Sequence, residues 1–210
     1  MKPATINIDQ AAEGIAALAP WGGITLIAIA GPPGSGKSTL AEKMTQRLGK
    51  RCCAVPMDGF HLDNAILEER GMLASKGAPE TFDHGGFATL IDDLKAGKTR
   101  RFPTFDRDTD SVIEDGGLVP DGVSILLFEG NYLLFDEPGW SGLARKWDAS
   151  IWLDVPEDVL EERLTKRWRD QGMPEDLAIK RAQSNDLVNA RRILSRALPS
   201  TWIIGNGYQD

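Results

Sequence analysis

Gly31-Pro32-Pro33-Gly34-Ser35-Gly36-Lys37-Ser38 is the stretch from which the rest of the chain can be read. It matches the spacing G-x-x-x-x-G-K-[ST] in full. Glycines let backbone N–H groups converge on phosphate oxygens, and the N-terminus of a following helix adds positive potential. In this pattern the amine of Lys37 reaches the terminal phosphates and the hydroxyl of Ser38 ligates Mg²⁺. The flanks agree. Ile24-Thr25-Leu26-Ile27-Ala28-Ile29-Ala30 is a continuous apolar run of the kind that forms a strand buried on both faces. Residues 36–48 read as a helix. Strand, glycine-rich loop and helix in that order predict a nucleoside triphosphate site. Its binding residues are Gly31, Pro32, Pro33, Gly34, Ser35, Gly36, Lys37, Ser38 and Thr39.

Further out, the same alternation repeats. Helical spacing covers 8–18, and Pro20-Trp21-Gly22-Gly23 then breaks the chain. Cys52-Cys53-Ala54-Val55-Pro56-Met57, Ser124-Ile125-Leu126-Leu127-Phe128, Ser150-Ile151-Trp152-Leu153 and Thr201-Trp202-Ile203-Ile204 read as strands. Residues 86–96, 156–170 and 174–196 read as helices. The expectation is an α/β fold, a P-loop NTPase three-layer α/β/α sandwich with a mostly parallel sheet of about five strands. A single domain spans 1–210, with its core at 22–205. The polar, Asp- and Gly-rich stretch 98–122 breaks the pattern and predicts a hairpin within a substrate-binding excursion at about 59–122. A small helical lid is expected at about 163–175.

Hydrophobic residues make up 41% and charged residues 26%, which excludes disordered and collagen-like chains. No apolar run approaches the roughly 20 residues that span a bilayer, and no leader-like apolar segment follows Lys2. A net charge of −7 argues against nucleic acid and anionic membranes as partners. The only two cysteines, Cys52 and Cys53, are adjacent, so they read as buried small hydrophobes in a reducing cytoplasm. Both monomer and homodimer remain open.

Two carboxylates stand where parallel strands end, Asp58 and Glu129, and such ends line the ligand crevice. Phosphoryl transfer to a hydroxyl needs one carboxylate near the acceptor and one near the metal. Asp58 is assigned to the acceptor hydroxyl and Glu129 to Mg²⁺ and its waters; the reverse assignment is also open. His61, three residues after Asp58, is either a substrate contact or a structural imidazole. His84 reads as a turn or surface residue. Arg163, Lys166, Arg167 and Arg169 form either a solvated helix face or a lid that covers the triphosphate. In the second case Arg167 is the first choice for the catalytic arginine and Arg163 the second. Arg191 and Arg192 are further candidates for that role or, alternatively, surface residues.

These motifs resemble the phosphoribulokinase, uridine kinase and pantothenate kinase group of P-loop kinases. The phosphate loop, Met57-Asp58-Gly59-Phe60-His61 and Glu129-Gly130-Asn131 follow the group's order. Lys76-Gly77-Ala78-Pro79-Glu80-Thr81-Phe82-Asp83 and the Asn185-containing segment are similar to bacterial pantothenate kinases. The Asp-Gly-Phe-His, Phe-Asp-Arg and Glu-Gly-Asn-Tyr segments are similar to a bacterial set provisionally named fructose transport system kinases. The resemblance spans about residues 22–205 and implies ATP as phosphoryl donor, with Asp58 as base or orienter. It implies acceptor contacts at Asp58, Phe60, His61, Phe105, Asp106, Arg107, Glu129, Asn131 and Asn185. Pantothenate kinases carry a Tyr- and His-containing segment where this chain reads Pro103-Thr104-Phe105-Asp106-Arg107-Asp108-Thr109-Asp110, and uridine kinases a His after their Tyr-Asp pair. Carboxylates near the mouth accept hydrogen bonds from hydroxyls, so a hydroxylated small molecule, a sugar such as fructose, is expected. The alternatives are pantothenate, a nucleoside such as uridine, or a nucleotide-binding regulator or switch without turnover. No Asn-Lys-x-Asp segment supports a guanine-specific switch, and an intact Lys37, Ser38, Asp58 and Glu129 argue against an idle regulator.

Overall fold

The computed structural model describes residues 3–18 and 23–205. The expected break at Pro20-Trp21-Gly22 and the start at Met1-Lys2 lie outside these residues. In chain order the elements are β1 (Ala4–Thr5), α1 (Ile8–Leu18), β2 (Thr25–Ala30), α2 (Lys37–Leu48), β3 (Cys52–Pro56), α3 (Asn64–Glu69) and α4 (His84–Lys95). There follow β4 (Arg101–Asp106), β5 (Ser111–Leu118), β6 (Ile125–Gly130), β7 (Ala149–Asp154), α5 (Glu157–Asp170), α6 (Glu175–Arg181), α7 (Leu187–Ser195) and β8 (Trp202–Gly205).

Six strands form one sheet in the order β1-β8-β7-β2-β6-β3, and every pairing in it is parallel. The strand beyond the expected five is β1, only two residues long and continued by the Ile6 amide donating to the Ile203 carbonyl at 2.9 Å. A segment this short has no period to read. All six residues of β2 are buried, as its unbroken apolar run requires. Their side chains alternate between two cores. Leu26 and Ala28 meet Val55, Leu126, Phe128 and the α4 residues Phe87, Ile91 and Leu94 on one face. Ile27 and Ile29 meet Ile15 of α1 and Leu40 and Met44 of α2 on the other. The result is the three-layer α/β/α sandwich. A third cluster, Val155, Leu160, Leu164, Ala182, Leu187 and Ala190, holds the helices after β7 together.

Between β3 and β6 the chain leaves the sheet. Its α4 is started by Asp83, whose carboxylate accepts from the Gly86 amide at 2.9 Å. The polar stretch then pairs as the antiparallel hairpin β4–β5, as expected, with an irregularity between Phe102 and Thr104. The helix expected across 174–196 is divided. A π turn at Ala182–Asp186 separates α6 from α7, and both Asn185 and Asp186 are buried within it. Their side-chain bonds, described below, offset the cost of the widened turn. Cys52 is buried and Cys53 half-buried, and both are free. Burial pushes the Cys52 thiol up to about 12, which makes it inert. No helix among the described residues is long and apolar enough to cross a membrane.

Candidate active site

The phosphate loop links β2 to α2. Gly34 and Gly36 adopt φ of 79° and 91°, conformations that a side chain would strain. The loop closes on itself through Lys37, whose Nζ donates to the Pro32 carbonyl at 2.9 Å. Lys37 is only 8% exposed. Burial lowers its pKa to about 8, with Glu129 and then Asp58 pulling it back up. Its charge is therefore held by the two carboxylates across the cavity.

Sheet register brings those carboxylates together. Gly130 of β6 is level with Ala30, the last residue of β2, and Glu129 is level with Pro56 of β3. Ser38 Oγ donates to Glu129 Oε1 at 3.0 Å. Burial, and after it Asp58, raises the Glu129 pKa above its ordinary value, while Lys37 and Ser38 lower it. A hydroxyl and a carboxylate oxygen side by side at the loop are hard donors that suit Mg²⁺. No cluster of three or more His, Cys, Asp or Glu able to hold a metal occurs among the described residues. Such an ion would thus complete its shell with phosphate oxygens and water.

Asp58 lies in the 3₁₀ turn Met57–Phe60 directly after β3. The next residue explains the turn's sequence: a Cβ on Gly59 would lie 2.1 Å from the Pro103 carbonyl oxygen, so only glycine lets the hairpin pack here. That approach carries Arg107 to Asp58, where Nη2 donates to Oδ2 at 2.8 Å. His61 stacks on Phe82 at 4.0 Å and is tilted against Phe105 at 4.8 Å. Burial, ahead of any charge, pushes its pKa down to about 4, so the imidazole is neutral at physiological pH.

A cavity of about 830 Å³ joins these groups. Lys37, Ser38, Asp58, His61, Phe105, Arg107, Glu129, Asn131 and Arg167 all line it, together with Gly34, Gly36 and Thr39 of the loop. Other expected contacts do not reach its wall. Phe60 turns into the core, its ring 5.1 Å from Phe87. Asp106 caps the hairpin turn, accepting from the amides of Asp108 at 2.9 Å and Thr109 at 3.3 Å. Those bonds hold its carboxyl below the usual range. Asn185 donates to the Lys76 carbonyl at 3.1 Å. Arg163 donates to the Gly34 carbonyl at 3.4 Å, bracing the loop from behind.

The basic end of α5 separates by residue. Lys166 pairs with Asp170 and Arg169 with Glu175, both in solvent. Arg191 pairs with Glu157, and Arg192 bridges Glu80 and Glu137. Arg167 alone of the α5 cluster turns into the cavity wall, and its Nη2 donates to Asp186 Oδ1 at 3.1 Å. Burial lowers its pKa and Asp186 raises it again. His84 is exposed at the first turn of α4, as expected.

Several lining residues escaped the sequence reading. Lys76 Nζ donates to Asn64 Oδ1 at 2.7 Å and pairs with Asp110 at 2.9 Å, and it lies 4.9 Å from the centre of the Phe105 ring. Asn64 also donates to Asp110 Oδ2 at 2.8 Å. Asp110 has φ of 50°, the sole non-glycine residue at positive φ among those described. Lys76 belongs to the segment that carries the family resemblance, but no spacing there marks it for the cavity. Arg181 donates to the Ala74 carbonyl at 2.8 Å, and Trp168 and Asp186 complete this side of the wall.

Known proteins resemble this chain in sequence and in fold. The sequence pattern of the phosphoribulokinase/uridine kinase family matches residues 26–174. A provisionally named uridine kinase of Schizosaccharomyces pombe is 36% identical over 178 residues, covering 78% of this chain and 75% of that one. The pantothenate kinase of Chelativorans sp. (strain BNC1) is 32% identical over 155 residues, 68% of this chain but 49% of that one. A crystallised protein of Silicibacter sp. TM1040, provisionally named a fructose transport system kinase, superposes with a TM-score of 0.90. It is 44% identical and covers 94% of this chain and 98% of its own. The chain thus belongs to the phosphoribulokinase/uridine kinase family, as an ATP-dependent P-loop kinase that phosphorylates an alcohol group.

Proposed function

We propose that the chain transfers the γ-phosphoryl group of Mg·ATP to a hydroxyl of a small neutral polyol, with a sugar such as fructose as the best-supported acceptor. One observation carries this reading. Both cations that line the cavity from residues 59–122 already face a carboxylate: Arg107 pairs with Asp58 and Lys76 with Asp110. An acceptor carrying a negative charge gains little from neutralised pairs. Hydroxyl groups gain from them directly, donating to carboxylates and accepting from Lys76 and Asn64. The faces of Phe105 and neutral His61 suit the C–H surface of a sugar ring. The Silicibacter relative's provisional name points to the same class.

In this reading Asp58 accepts the proton of the attacking hydroxyl, whose oxygen forms the new bond to phosphorus while ADP leaves. Lys37 balances charge on the terminal phosphates, and Arg167 does so from a lid at about 163–175. Ser38 and Glu129 would hold Mg²⁺, which when bound neutralises charge between the β- and γ-phosphates. Residues 1–210 act as one kinase domain with its core at 22–205, and 59–122 supplies acceptor specificity. Two free cysteines, one buried and one half-buried, are compatible with a cytoplasmic setting.

A second reading has its own support. Arg181 lines the cavity and hydrogen-bonds a backbone carbonyl instead of a carboxylate, which favours an acceptor with a carboxylate, such as pantothenate. An ADP-release assay with Mg·ATP and a panel of fructose, other sugars, pantothenate, uridine, cytidine and ribulose 5-phosphate decides between them. The expected result is a kcat/KM for one neutral sugar at least about tenfold above that for every charged acceptor. Preference for pantothenate overturns the neutral-polyol reading. Nucleotide binding without turnover on any acceptor favours the regulator.

A further inference from the structure

We propose that Asp186 is a positioning residue for Arg167, fixing its guanidinium on the phosphoryl side of the cavity. The proposal rests on the kinase reading above and goes beyond it by assigning a role to the π turn. Asp186 is 7% exposed and uses both oxygens. Oδ1 accepts from Arg167 Nη2 at 3.1 Å, and Oδ2 accepts from Trp168 Nε1 at 2.6 Å. Trp168 is itself flanked by two guanidinium groups, with Arg167 Cζ 5.1 Å and Arg181 Cζ 5.3 Å from its ring centre. The carboxylate is therefore held by one neighbour while it holds the other.

Two physical arguments say that this arrangement is there for orientation. Asp186 is buried while a third of the Arg167 side chain stays exposed, and an ion pair so placed is weak evidence for stability, because desolvation of the carboxylate and screening of the guanidinium offset its attraction. It does, however, limit the direction of a long side chain that otherwise loses about 2 kcal/mol of rotamer entropy when it is fixed. The backbone points the same way. The turn Ala182–Asp186 is π-helical, a form that is rare and frequent at functional sites. It buries two consecutive polar side chains, and Asn185 anchors the turn by donating to the Lys76 carbonyl. Asp186 thus projects from a turn tied to the far side of the cavity.

The test is chemical rescue. Asp186→Asn places an amide N–H against one of two donors, Arg167 or Trp168, so kcat should fall on the order of 10–100-fold with the acceptor KM little changed. Arg167→Gly should lose more, and added guanidinium ion at millimolar concentration should restore part of it. In the Arg167→Gly/Asp186→Asn double variant that restoration should vanish, because the added ion has no carboxylate to seat it. A purely structural Asp186 leaves rescue intact. If Asp186→Asn folds poorly, Trp168→Phe keeps an aromatic face but removes the Nε1 donor with the pyrrole part of the indole, and a kcat loss of several-fold is expected. Wild-type turnover together with equal rescue in the presence and absence of Asp186, or an Asp186→Asn kcat within twofold of wild type, overturns this assignment alone. Absence of wild-type turnover overturns the kinase reading and the assignment with it.

Discussion

The phosphate end of the cavity is made by one short stretch of chain, the acceptor end by four stretches far apart. Residues 31–38 form the loop by themselves, and Lys37 closes it on a carbonyl five residues back. Distant partners reach it from two sides: Glu129 arrives on the strand next to β2, and Arg163 of α5 donates to the Gly34 carbonyl. The acceptor end combines 58–61, 64–77, 105–110 and 181–189. Its bonds join Arg107 to Asp58, Asn64 to Asp110, Asn185 to Lys76 and Arg181 to Ala74. The first end is rigid because glycine conformations and a helix start dictate it. The second depends on pairs of side chains that can be exchanged without disturbing the loop. A family that keeps one chemistry while changing its substrate needs that separation.

The contrast can be broken most severely at the phosphate end. Lys37→Ala should abolish measurable phosphoryl transfer while circular dichroism remains that of the wild type; substantial turnover would remove the loop from the chemistry. Asp58→Asn, at the border of the two ends, should lower kcat on the order of 10²–10⁴-fold. A loss under about tenfold would move the base elsewhere, since about 1.4 kcal/mol is one decade. At the acceptor end, Lys76→Met should raise the acceptor KM about tenfold and leave the ATP KM unchanged. Equal changes in both constants would show that the ends are not independent.

The smallest expected effect is protonic. Lys37 has a pKa near 8, so in the free enzyme it loses its charge as pH rises through that value. Phosphate favours the charged form, which means that ATP binding at pH 8.5 takes up part of a proton and weakens as pH rises. Calorimetry in buffers of differing ionisation enthalpy reads this uptake directly. The difference in uptake between the wild type and Lys37→Ala should be clear at pH 8.5 and near zero at pH 6.5.

The same contrast explains what could be read without coordinates. The loop, β2, β3, β6 and the carboxylates Asp58 and Glu129 were legible because each depends on residues adjacent in sequence: an apolar run, then a chemical group at its end. The hairpin was legible as an interruption of the pattern. Lys76, Asn64 and Asp186 were not, because their meaning comes from partners 12 to 109 positions away or from a π turn that mimics ordinary helical periodicity. Phe60 illustrates the converse. Its place in a motif suggested substrate contact, but the turn that exposes Asp58 directs its neighbour's ring towards Phe87.

One consequence lies in the order of the sheet. β2, which ends in the phosphate loop, is flanked by β6 and β7, whereas β3, which leads into Asp58, pairs among the described residues with β6 alone. Amides of Cys53, Ala54 and Val55 should accordingly exchange with deuterium well before those of Ile27, Ala28 and Ile29. On warming, the corner that carries Asp58 peels away first. The enzyme would then pass through a state that still grips nucleotide yet has lost the means to spend it.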